Sequence, residues 1–359
     1  MNENHPRLVA TISPEWSMPQ VAAALTHALA GDGPALAMAP ISQTNVSADF
    51  AVIVPTSGST GRPKEVAFTS AALISSATAV HKFLGATSGE RWSLLLPTNH
   101  IAGVNVLVRA HELGVPVVSV AEAATYTAIV PTQLHRALTG DQQLLTHLQA
   151  CKAVLVGGAA TNTELLDSAR QATINVVTTY GMSEMSGGCI YNNRPLDGVD
   201  VRISPTGNIQ LRGAMMASSY LNDFDSWKAV TSDGWFTTSD LGELVNGEVR
   251  VIGRSDDQII SGGEKISLGA VEQFLSSEFD GAEFIACGIP DLEWGTKLVV
   301  LSKQDVDLEL MRNKVRRALG AHAVPKDFLK VKDLPRTSLE KPDRNAGREL
   351  YLATNRGDQ

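Results

Sequence analysis

Short apolar runs that alternate with helical stretches constrain the fold of the first half of the chain most strongly. The runs are rich in Val, Ile, Leu and Thr and end at Pro, Gly or polar residues, which is typical of buried parallel strands. They occupy residues 51–55, 92–97, 116–120, 153–158 and 174–180. Helices are predicted between them, over residues 69–84, 131–139 and 161–171. This alternation predicts an α/β fold with a mostly parallel sheet.

The pattern changes in the second half and divides the chain. Over residues 199–252 the strands become shorter, alternate in polarity and are joined by Gly turns, which indicates an antiparallel β unit. The polar stretch R-S-D-D-Q follows at residues 254–258. We predict a large N-terminal α/β domain over residues 1–253, a hinge over 254–258, and a small α+β C-terminal domain over 259–359. Within the C-terminal domain we expect helices over 268–278 and 308–319 and strands over 283–289 and 297–302.

Composition excludes several classes of protein. Of the 359 residues, 43% are hydrophobic and 19% are charged, which is typical of a folded chain and not of a disordered one. The net charge of −8 argues against a nucleic-acid binder. No apolar run reaches the roughly 20 residues that a membrane span needs. The N-terminus lacks the order of a secretory signal, and three widely spaced cysteines suggest buried thiols. We therefore expect a soluble, cytoplasmic protein.

Positive charge is concentrated near the C-terminus. Residues 312–356 contain 12 Lys or Arg against 5 Asp or Glu. Such a segment is compatible with a solvated helix face and with a cationic lobe that meets a polyanionic ligand. The sequence leaves both interpretations open.

The most informative stretch is T-S-G-S-T-G-R-P-K at residues 56–64. It follows the strand over 51–55 and precedes the helix predicted over 69–84. Small and hydroxyl-bearing residues allow backbone N–H groups to approach phosphate oxygens, and Lys64 adds a cation. The stretch is not a Walker P-loop, which ends in G-K-[ST] at the start of a helix. We predict a phosphate-binding loop here.

This loop resembles the phosphate-loop signature of the adenylate-forming enzymes, which include acyl-CoA synthetases, non-ribosomal adenylation domains and luciferases. Four further motifs resemble those of the family and occur in the family's order. They are Y-G-M-S-E (180–184), G-W-F-T-T-S-D (234–240), G-R-S-D-D-Q-I-I (253–260) and P-R-T-S-L-E-K (335–341). The resemblance implies the family's two-step reaction, in which ATP adenylates an acid and a thiol then displaces AMP.

The resemblance implies a nucleotide site and a magnesium site. Tyr180 would stack on adenine, Asp240 and Arg254 would reach the ribose, and Glu184 would help to hold Mg²⁺, which prefers oxygen ligands. The implied nucleotide-binding residues are Thr56, Ser57, Gly58, Ser59, Thr60, Gly61, Lys64, Gly158, Ala159, Tyr180, Gly181, Met182, Ser183, Asp240 and Arg254.

The C-terminal motifs imply catalysis and domain rotation. Lys341 would stabilise the charge that develops on the α-phosphate and on departing pyrophosphate. Glu340 stands where the family usually has Gly. Asp256 matches the family's hinge position, about which the small domain rotates between the two half-reactions. Three residues would then flank the channel for CoA, and the cationic lobe would help to hold the CoA phosphates. These channel residues are Ser261, Gly262 and Gly263.

Within the family the chain most resembles the short bacterial o-succinylbenzoate–CoA ligases of menaquinone biosynthesis. The segments that carry this resemblance are L-V-G-G-A-A-T (155–161), P-T-N-H-I-A-G-V-N-V (97–106) and residues 179–199. The acyl-pocket residues that it implies are His100, Asn105, Gly157, Ser186 and Gly187. His100 is also a catalytic candidate, because it would shape the pocket or donate to a substrate carboxylate. Since the phosphate loop begins at residue 56, we expect an N-terminal subdomain shortened relative to most members.

The implied function is ATP-dependent ligation of o-succinylbenzoate to CoA, with AMP and pyrophosphate as the other products. Two alternatives stay open: another aryl- or acyl-CoA ligase with a different pocket, and a relative that binds a nucleotide or acyl-adenylate without turnover. The shortened N-terminal subdomain and Glu340 favour the second. The motif residues argue against it, namely Lys64, Glu184, Asp240, Arg254 and Lys341. The sequence leaves the oligomeric state open, a homo-oligomer included.

Overall fold

The structure is a computed structural model that describes most of the chain. The described residues are 6–56, 63–159, 161–255, 257–279, 282–336 and 342–355. The chain divides into two compact units. Unit 1 comprises Met1–Ile203, Gln210–Thr238 and Leu244–Arg250, and unit 2 comprises Ser204–Ile209, Ser239–Glu243 and Val251–Gln359. The predicted hinge residue Asp256 lies outside the described residues, and the predicted domain limits stay a prediction.

Helices and strands alternate along much of the chain. In the described ranges the helices are α1 (Met18–Ala30), α2 (Ser70–Leu84), α3 (Ile101–Glu112), α4 (Pro131–Thr139), α5 (Gln142–Ala150), α6 (Thr163–Gln171), α7 (Phe224–Val230), α8 (Leu268–Glu278), α9 (Leu308–Leu319) and α10 (Arg344–Thr354). The strands are β1 (Arg7–Thr11), β2 (Ala35–Ala37), β3 (Asn45–Val46), β4 (Phe50–Thr56), β5 (Lys64–Thr69), β6 (Trp92–Ser93), β7 (Tyr126–Ile129), β8 (Ala153–Val156), β9 (Val176–Met182), β10 (Gly187–Tyr191), β11 (Arg194–Pro195), β12 (Val199–Ile203), β13 (Asn208–Gly213), β14 (Ser219–Tyr220), β15 (Thr231–Ser232), β16 (Trp235–Val245), β17 (Glu248–Arg254), β18 (Gln258–Ser261), β19 (Glu264–Ser267), β20 (Phe284–Asp291), β21 (Gly295–Ser302) and β22 (Asp327–Lys330).

Unit 1 contains two six-stranded sheets. The first has the order β14-β5-β4-β2-β1-β3, in which β1, β2 and β4 are parallel and β3, β5 and β14 are antiparallel to their neighbours. Helices α1, α2 and α3 bury Leu25, Leu73 and Val104 against this sheet. Apolar residues on each helix face the same core, so burial of these faces stabilises the layer.

The second sheet has the order β11-β10-β9-β8-β7-β6. Strands β6 to β9 are parallel, and β9, β10 and β11 pair antiparallel. Helices α4, α5 and α6 bury Leu134, Leu148 and Ala169 in its core. A third sheet follows in the order β12-β13-β16-β15, with β17 beside β16.

Unit 2 has a three-stranded sheet between helices. Strand β20 pairs antiparallel with β21, and β21 pairs parallel with β22. Alternate residues of β20 pack on opposite faces: Phe284 and Ala286 lie in the core with α8 and α9, whereas Ile285 and Cys287 lie in the core with Tyr351 of α10. This is the period of two expected of a strand covered on both faces. A separate hairpin pairs β18 with β19.

The predicted α/β class is confirmed, with differences in detail. Helices α4, α8 and α9 match their predicted limits, and α2 begins at Ser70. The predicted strand over 116–120 is wrong, because only Val118 forms an isolated bridge, to Ser93. The strand predicted over 92–97 is limited to β6. The prediction of a mostly parallel sheet is also wrong, since unit 1 has two sheets that each combine parallel and antiparallel pairs.

The helices of the described residues are all too short or too polar to span a bilayer.

Candidate active site

The predicted phosphate loop lies between two antiparallel strands. Thr56 ends β4, Lys64 starts β5, and the two residues pair. The Thr56 Oγ1 hydroxyl donates to the Lys64 carbonyl at 3.4 Å. The stretch follows β4 and precedes α2 as predicted, and β5, which was not predicted, lies between the loop and that helix. The loop residues Ser57, Gly58, Ser59, Thr60 and Gly61 lie outside the described residues.

A segment distant in sequence holds the C-terminal stem of this loop. Asn222 donates from Nδ2 to the Pro63 carbonyl at 2.8 Å and accepts from the Glu65 N–H at 3.0 Å. The buried Glu65 carboxylate in turn accepts from the N–H of Ser42 at 2.9 Å. Because backbone groups on both sides of Lys64 are bonded, its Cα position is fixed even though its side chain is long.

Glu184, the proposed magnesium ligand, shares one partner with Lys64. The Tyr220 hydroxyl donates to Glu184 Oε1 at 2.6 Å, and Lys64 Nζ lies 4.4 Å from the centre of the Tyr220 ring. Tyr220 is 2% exposed. Burial raises the pKa of its hydroxyl well above the ordinary value, and the charge of Glu184 raises it further. The hydroxyl therefore stays protonated and remains a donor.

A tight hairpin positions Glu184. Strands β9 and β10 pair through Met182 and Gly187, and a 3₁₀ turn over Ser183–Met185 joins them. A Cβ on Gly181 would lie 1.9 Å from the Gly187 carbonyl oxygen, so only glycine fits at position 181. Ser186 has the left-handed φ of 52°, which closes the turn.

Two of the predicted pocket residues are bound within the protein. The buried Asn105 donates from Nδ2 to the Ser186 carbonyl at 2.6 Å. The Ser186 hydroxyl donates to the Met215 carbonyl at 2.7 Å. A Cβ on Gly187 would lie 2.5 Å from Asn105 Nδ2. These three residues thus form one packed group that supports the hairpin.

The predicted wall of the pocket begins where β8 ends. A Cβ on Gly157 would lie 2.1 Å from Thr179 Oγ1, so the strand end approaches β9 closely. Gly158 has a φ of 85°, and both Gly158 and Ala159 are exposed. Tyr180, the residue after Thr179, is half-buried in β9. Glycine at position 157 therefore allows the close approach of β8 to the strand that carries Tyr180.

His100 is the N-cap residue of α3. Its backbone is extended, with φ −123° and ψ 149°, and its side chain makes no capping hydrogen bond to the helix. It is partly buried. The N-terminal end of a helix carries partial positive charge, so the position suits a neighbouring anion.

Asp240 and Arg254 are together in unit 2. Arg254 Nη1 lies 3.3 Å from Asp240 Oδ1, and the Asp240 residue is 9% exposed. Arg254 Nε also lies 3.9 Å from Asp257 Oδ2. The structure therefore places the two predicted ribose-binding residues side by side.

The predicted CoA-channel residues form the turn of the β18–β19 hairpin. Ser261 is 3% exposed, and Gly262 and Gly263 have φ values of 57° and 87°. The Gly262 N–H donates to the Trp294 carbonyl at 3.0 Å. Lys326 Nζ lies 3.7 Å from the centre of a Trp294 ring. A cation on an aromatic face thus lies next to this turn.

Lys341, the predicted catalytic lysine, and Glu340 lie outside the described residues. The chain on either side of them is well anchored. Arg336 forms an antiparallel bridge with Pro342, and the Asp343 N–H donates to the Pro335 carbonyl at 3.0 Å. The two ends of the segment that carries Lys341 therefore lie side by side.

Many cations of the C-terminal segment are bound in ion pairs within unit 2. These pairs are Arg312–Glu309, Lys314–Glu278, Lys330–Asp305, Arg336–Glu283 and Arg344–Glu272. Much of the segment's positive charge is thus balanced by acids elsewhere in the unit. A role of this cationic lobe in binding CoA stays a prediction.

The donor set around Glu184 fits a magnesium ion that arrives with a nucleotide. The described residues contain no group of three or more His, Cys, Asp or Glu side chains that would hold a metal by themselves. Mg²⁺ commonly binds through one or two carboxylates together with substrate phosphates. Glu184 provides such a carboxylate, partly exposed and oriented by Tyr220.

Sequence reasoning missed Tyr220, Asn222 and Trp294. Tyr220 and Asn222 lie 36 and 159 residues from a partner, so no local pattern links them to the motifs. The sequence signal near these two residues was the pair Asn222-Asp223, and such a pair ordinarily indicates a turn and not a functional site.

The chain is similar to known proteins in sequence and in structure. The model of the AMP-binding enzyme family matches residues 6–217. The chain belongs to this family. The probable 2-succinylbenzoate–CoA ligase of Mycobacterium tuberculosis is 37% identical to it, over 90% of this chain and 93% of the relative.

Two solved structures are similar throughout most of the chain. The o-succinylbenzoate coenzyme A synthetase (MenE) of Bacillus subtilis in complex with AMP is 27% identical, with a TM-score of 0.72, over 82% of this chain and 68% of that chain. The same enzyme in complex with ATP and magnesium ion is 26% identical, with a TM-score of 0.72, over 85% and 71% of the two chains.

Proposed function

We propose that the protein ligates o-succinylbenzoate to CoA at the expense of ATP, in menaquinone biosynthesis. The observation that carries the proposal is the 37% identity to a probable 2-succinylbenzoate–CoA ligase, which extends over nine-tenths of both chains. The proximity of Lys64 and Glu184 around Tyr220 supports it, since a nucleotide phosphate chain with Mg²⁺ needs a cation and a carboxylate together.

In the first half-reaction, a carboxylate oxygen of the acid attacks the α-phosphorus of ATP, and pyrophosphate leaves. Lys64 and the loop over residues 56–64 bind the phosphates, while Tyr180 stacks on adenine. Bound Mg²⁺ would neutralise phosphate charge, and Glu184 would hold it. Lys341 stabilises the charge that develops on the α-phosphate and on the leaving group.

In the second half-reaction, the thiol of CoA attacks the acyl carbon of the acyl-adenylate, and AMP leaves. The product is a thioester, and the thiol proton is released. Ser261, Gly262 and Gly263 line the approach of the pantetheine arm. Their hairpin turn bears only one buried side chain, which leaves the two glycines open to a chain of methylene and amide groups.

The acyl pocket forms around the start of α3. His100, at the positive end of that helix, faces a substrate carboxylate. Asn105, Ser186 and Gly187 set the shape of the pocket, because their polar groups bond to one another or to the backbone. Gly157 lets the end of β8 pack closely against Thr179, the neighbour of Tyr180, and so forms one wall of the pocket.

The proposed reaction draws on ATP and CoA, which are abundant in the cytoplasm, and we place the protein there. Its three cysteines are free and buried, as expected in a reducing compartment.

Mass spectrometry of a reaction with enzyme, ATP, Mg²⁺, CoA and o-succinylbenzoate tests the proposal. We expect a product at the mass of o-succinylbenzoyl-CoA that is absent when either ATP or the acid is omitted. The Lys341→Ala variant is the control, and it should lose adenylation by orders of magnitude while still forming thioester from supplied acyl-adenylate.

The outcomes of this assay separate the alternatives. Thioester with other acids but not with o-succinylbenzoate would indicate a different acyl-CoA ligase. No pyrophosphate release with any acid, combined with tight ATP binding, would indicate a relative that binds without turnover.

A further inference from the structure

The side chain of Tyr220 contacts both Glu184 and Lys64. Its hydroxyl donates to Glu184 Oε1 at 2.6 Å, and its ring lies 4.4 Å from Lys64 Nζ. The two contacts use different parts of the same rigid group. They therefore hold the carboxylate and the ammonium in a fixed relation to each other.

The backbone around Tyr220 is fixed independently of these contacts. Strand β14 pairs with β5, with Tyr220 opposite Val66, two residues beyond Lys64. The Ala217 N–H donates to the Glu184 carbonyl at 2.8 Å. The same short segment is thus bonded to the strand that carries Lys64 and to the turn that carries Glu184.

Packing fixes the ring as well. Tyr220 is 2% exposed and makes an edge-to-face contact with Trp227, with ring centres 5.1 Å apart. A buried tyrosine loses little rotational freedom when it binds a further group, because its rotamer is already set. Its hydroxyl consequently selects one orientation of the Glu184 carboxylate.

We infer that Tyr220 is a positioning residue of the active site, whose hydroxyl orients Glu184 toward Mg²⁺ and whose ring holds Lys64 beside the phosphates. The inference rests on the proposed function, because it takes Glu184 and Lys64 as ligands of the ATP–magnesium complex. The ring and the hydroxyl act together: a hydroxyl that donates to a carboxylate enriches the ring in electrons, which strengthens its attraction for an ammonium.

The Tyr220→Phe variant separates the hydroxyl from the ring. It keeps the ring beside Lys64 and Trp227 and removes only the bond to Glu184. Groups that orient a metal ligand typically affect metal affinity by 10- to 100-fold. We therefore expect the dissociation constant for ATP in the presence of Mg²⁺ to rise about tenfold, and the dissociation constant for ATP in EDTA to change less than twofold.

Isothermal titration calorimetry with ATP, with Mg²⁺ and then with EDTA, measures both constants without turnover. The chain offers a matched control in Tyr126. The Tyr126 hydroxyl donates to Glu90 Oε2 at 2.7 Å, and Lys152 Nζ lies 5.6 Å from the centre of its ring. Tyr126→Phe makes the same chemical change outside the site, so ATP binding should stay as in the wild type.

Three outcomes decide the inference. A tenfold loss confined to the titration with Mg²⁺ and to Tyr220→Phe supports it. Equal losses with Mg²⁺ and with EDTA, or equal losses in the Tyr126→Phe control, assign Tyr220 a purely structural role and overturn it. Unchanged binding in Tyr220→Phe overturns it too. Failure of the proposed function is distinguishable, because it would appear as missing thioester in the mass-spectrometric assay of the wild type, whereas these titrations measure binding without turnover.

Discussion

Single residues without side chains set the dimensions of the candidate site. Gly181 belongs to the Y-G-M-S-E motif, and its neighbours Tyr180 and Met182 lie in β9. A Cβ at position 181 would meet three backbone atoms of Gly187 and Gly188, at 1.9 to 2.6 Å. Backbone atoms cannot rotate away as a side chain does, so the two strands would have to separate. The motif therefore needs glycine for reasons of packing, apart from any contact with a nucleotide.

Gly181→Ala should displace the hairpin that carries Glu184. Overpacking of this kind costs about 1–3 kcal/mol of the free energy of unfolding. We expect a lower melting temperature and weaker ATP binding, measured by calorimetry on one preparation. Gly140→Ala is the control, because a Cβ there meets nothing within 4 Å. Equal effects of the two substitutions would contradict the role assigned to the glycine at position 181.

At the scale of elements, one arginine joins two helices of unit 2 to Asp257, which lies within the predicted hinge. Arg344, at the start of α10, contacts Glu272 of α8 at 2.7 Å and Asp257 at 2.6 Å. The Glu272 carboxylate also accepts from the Ala286 N–H of β20 at 2.8 Å. Burial raises the pKa of Glu272, while Arg344 opposes that effect. Arg344 and the Ala286 N–H thus stabilise the negative charge of Glu272, which would be costly to bury without them.

Arg344→Ala should destabilise unit 2, because it leaves Glu272 buried without a cation. Removing one partner of a buried pair typically costs about 3–5 kcal/mol. Hydrogen exchange should report weaker protection of α8 and α10. The exposed Arg348 lies one turn further along α10, and Arg348→Ala should change stability by less than about 0.5 kcal/mol. Comparable losses of protection in the two variants would show that the ion pair is not the anchor.

The sequence predicted those elements whose local pattern agrees with their tertiary environment. Helices α4, α8 and α9 have clear starts and ends, such as Pro131 at the first position of α4 and Gly140 after its last residue. Helix α3 was not predicted, because its first residues belong to the segment over 97–106, which was interpreted as a pocket motif. The segment over 116–120 has strand-like composition, yet it pairs through Val118 alone, because β6 beside it is only two residues long. Whether this segment forms a strand therefore depends on its pairing partner, which lies far away in the sequence.

At the scale of the whole molecule, the motifs predict candidate site residues in each unit but not the contacts that hold those residues. Lys64, Glu184, Asp240 and Arg254 were all predicted from motifs, and each has a described partner close by. Tyr220 could not be predicted, since its role arises only when β14 pairs with β5. Motif residues follow from chemistry that the chain must perform. The residues that hold the motif residues in place depend on how the strands pair, and a single sequence does not show strand pairing.

Two histidines that are neutral in the folded state, the half-buried His81 and the buried His147, make the stability of unit 1 depend on pH. Burial and, to a smaller extent, the nearby Arg109 lower the pKa of His81 to about 4, against the opposing effect of Glu90. Burial also lowers the pKa of His147, which bonds to the Ser93 hydroxyl at 2.7 Å. In both cases the folded state resists a proton that the unfolded chain accepts near pH 6.5.

Unfolding free energy should therefore fall as the pH drops from about 6.5 to about 4, because only the unfolded state gains the proton in that window. For His81 alone the loss amounts to at most about 3 kcal/mol, at 1.36 kcal/mol per pH unit. His81→Phe keeps a ring beside Trp92 and removes the titrating group. Urea unfolding from pH 7.5 to pH 4 should show the wild type losing stability more steeply than this variant. His135→Phe, at an exposed histidine of α4, should follow the wild type. If the His81→Phe and wild-type curves stay parallel, protonation of His81 does not contribute to the acid sensitivity of the fold.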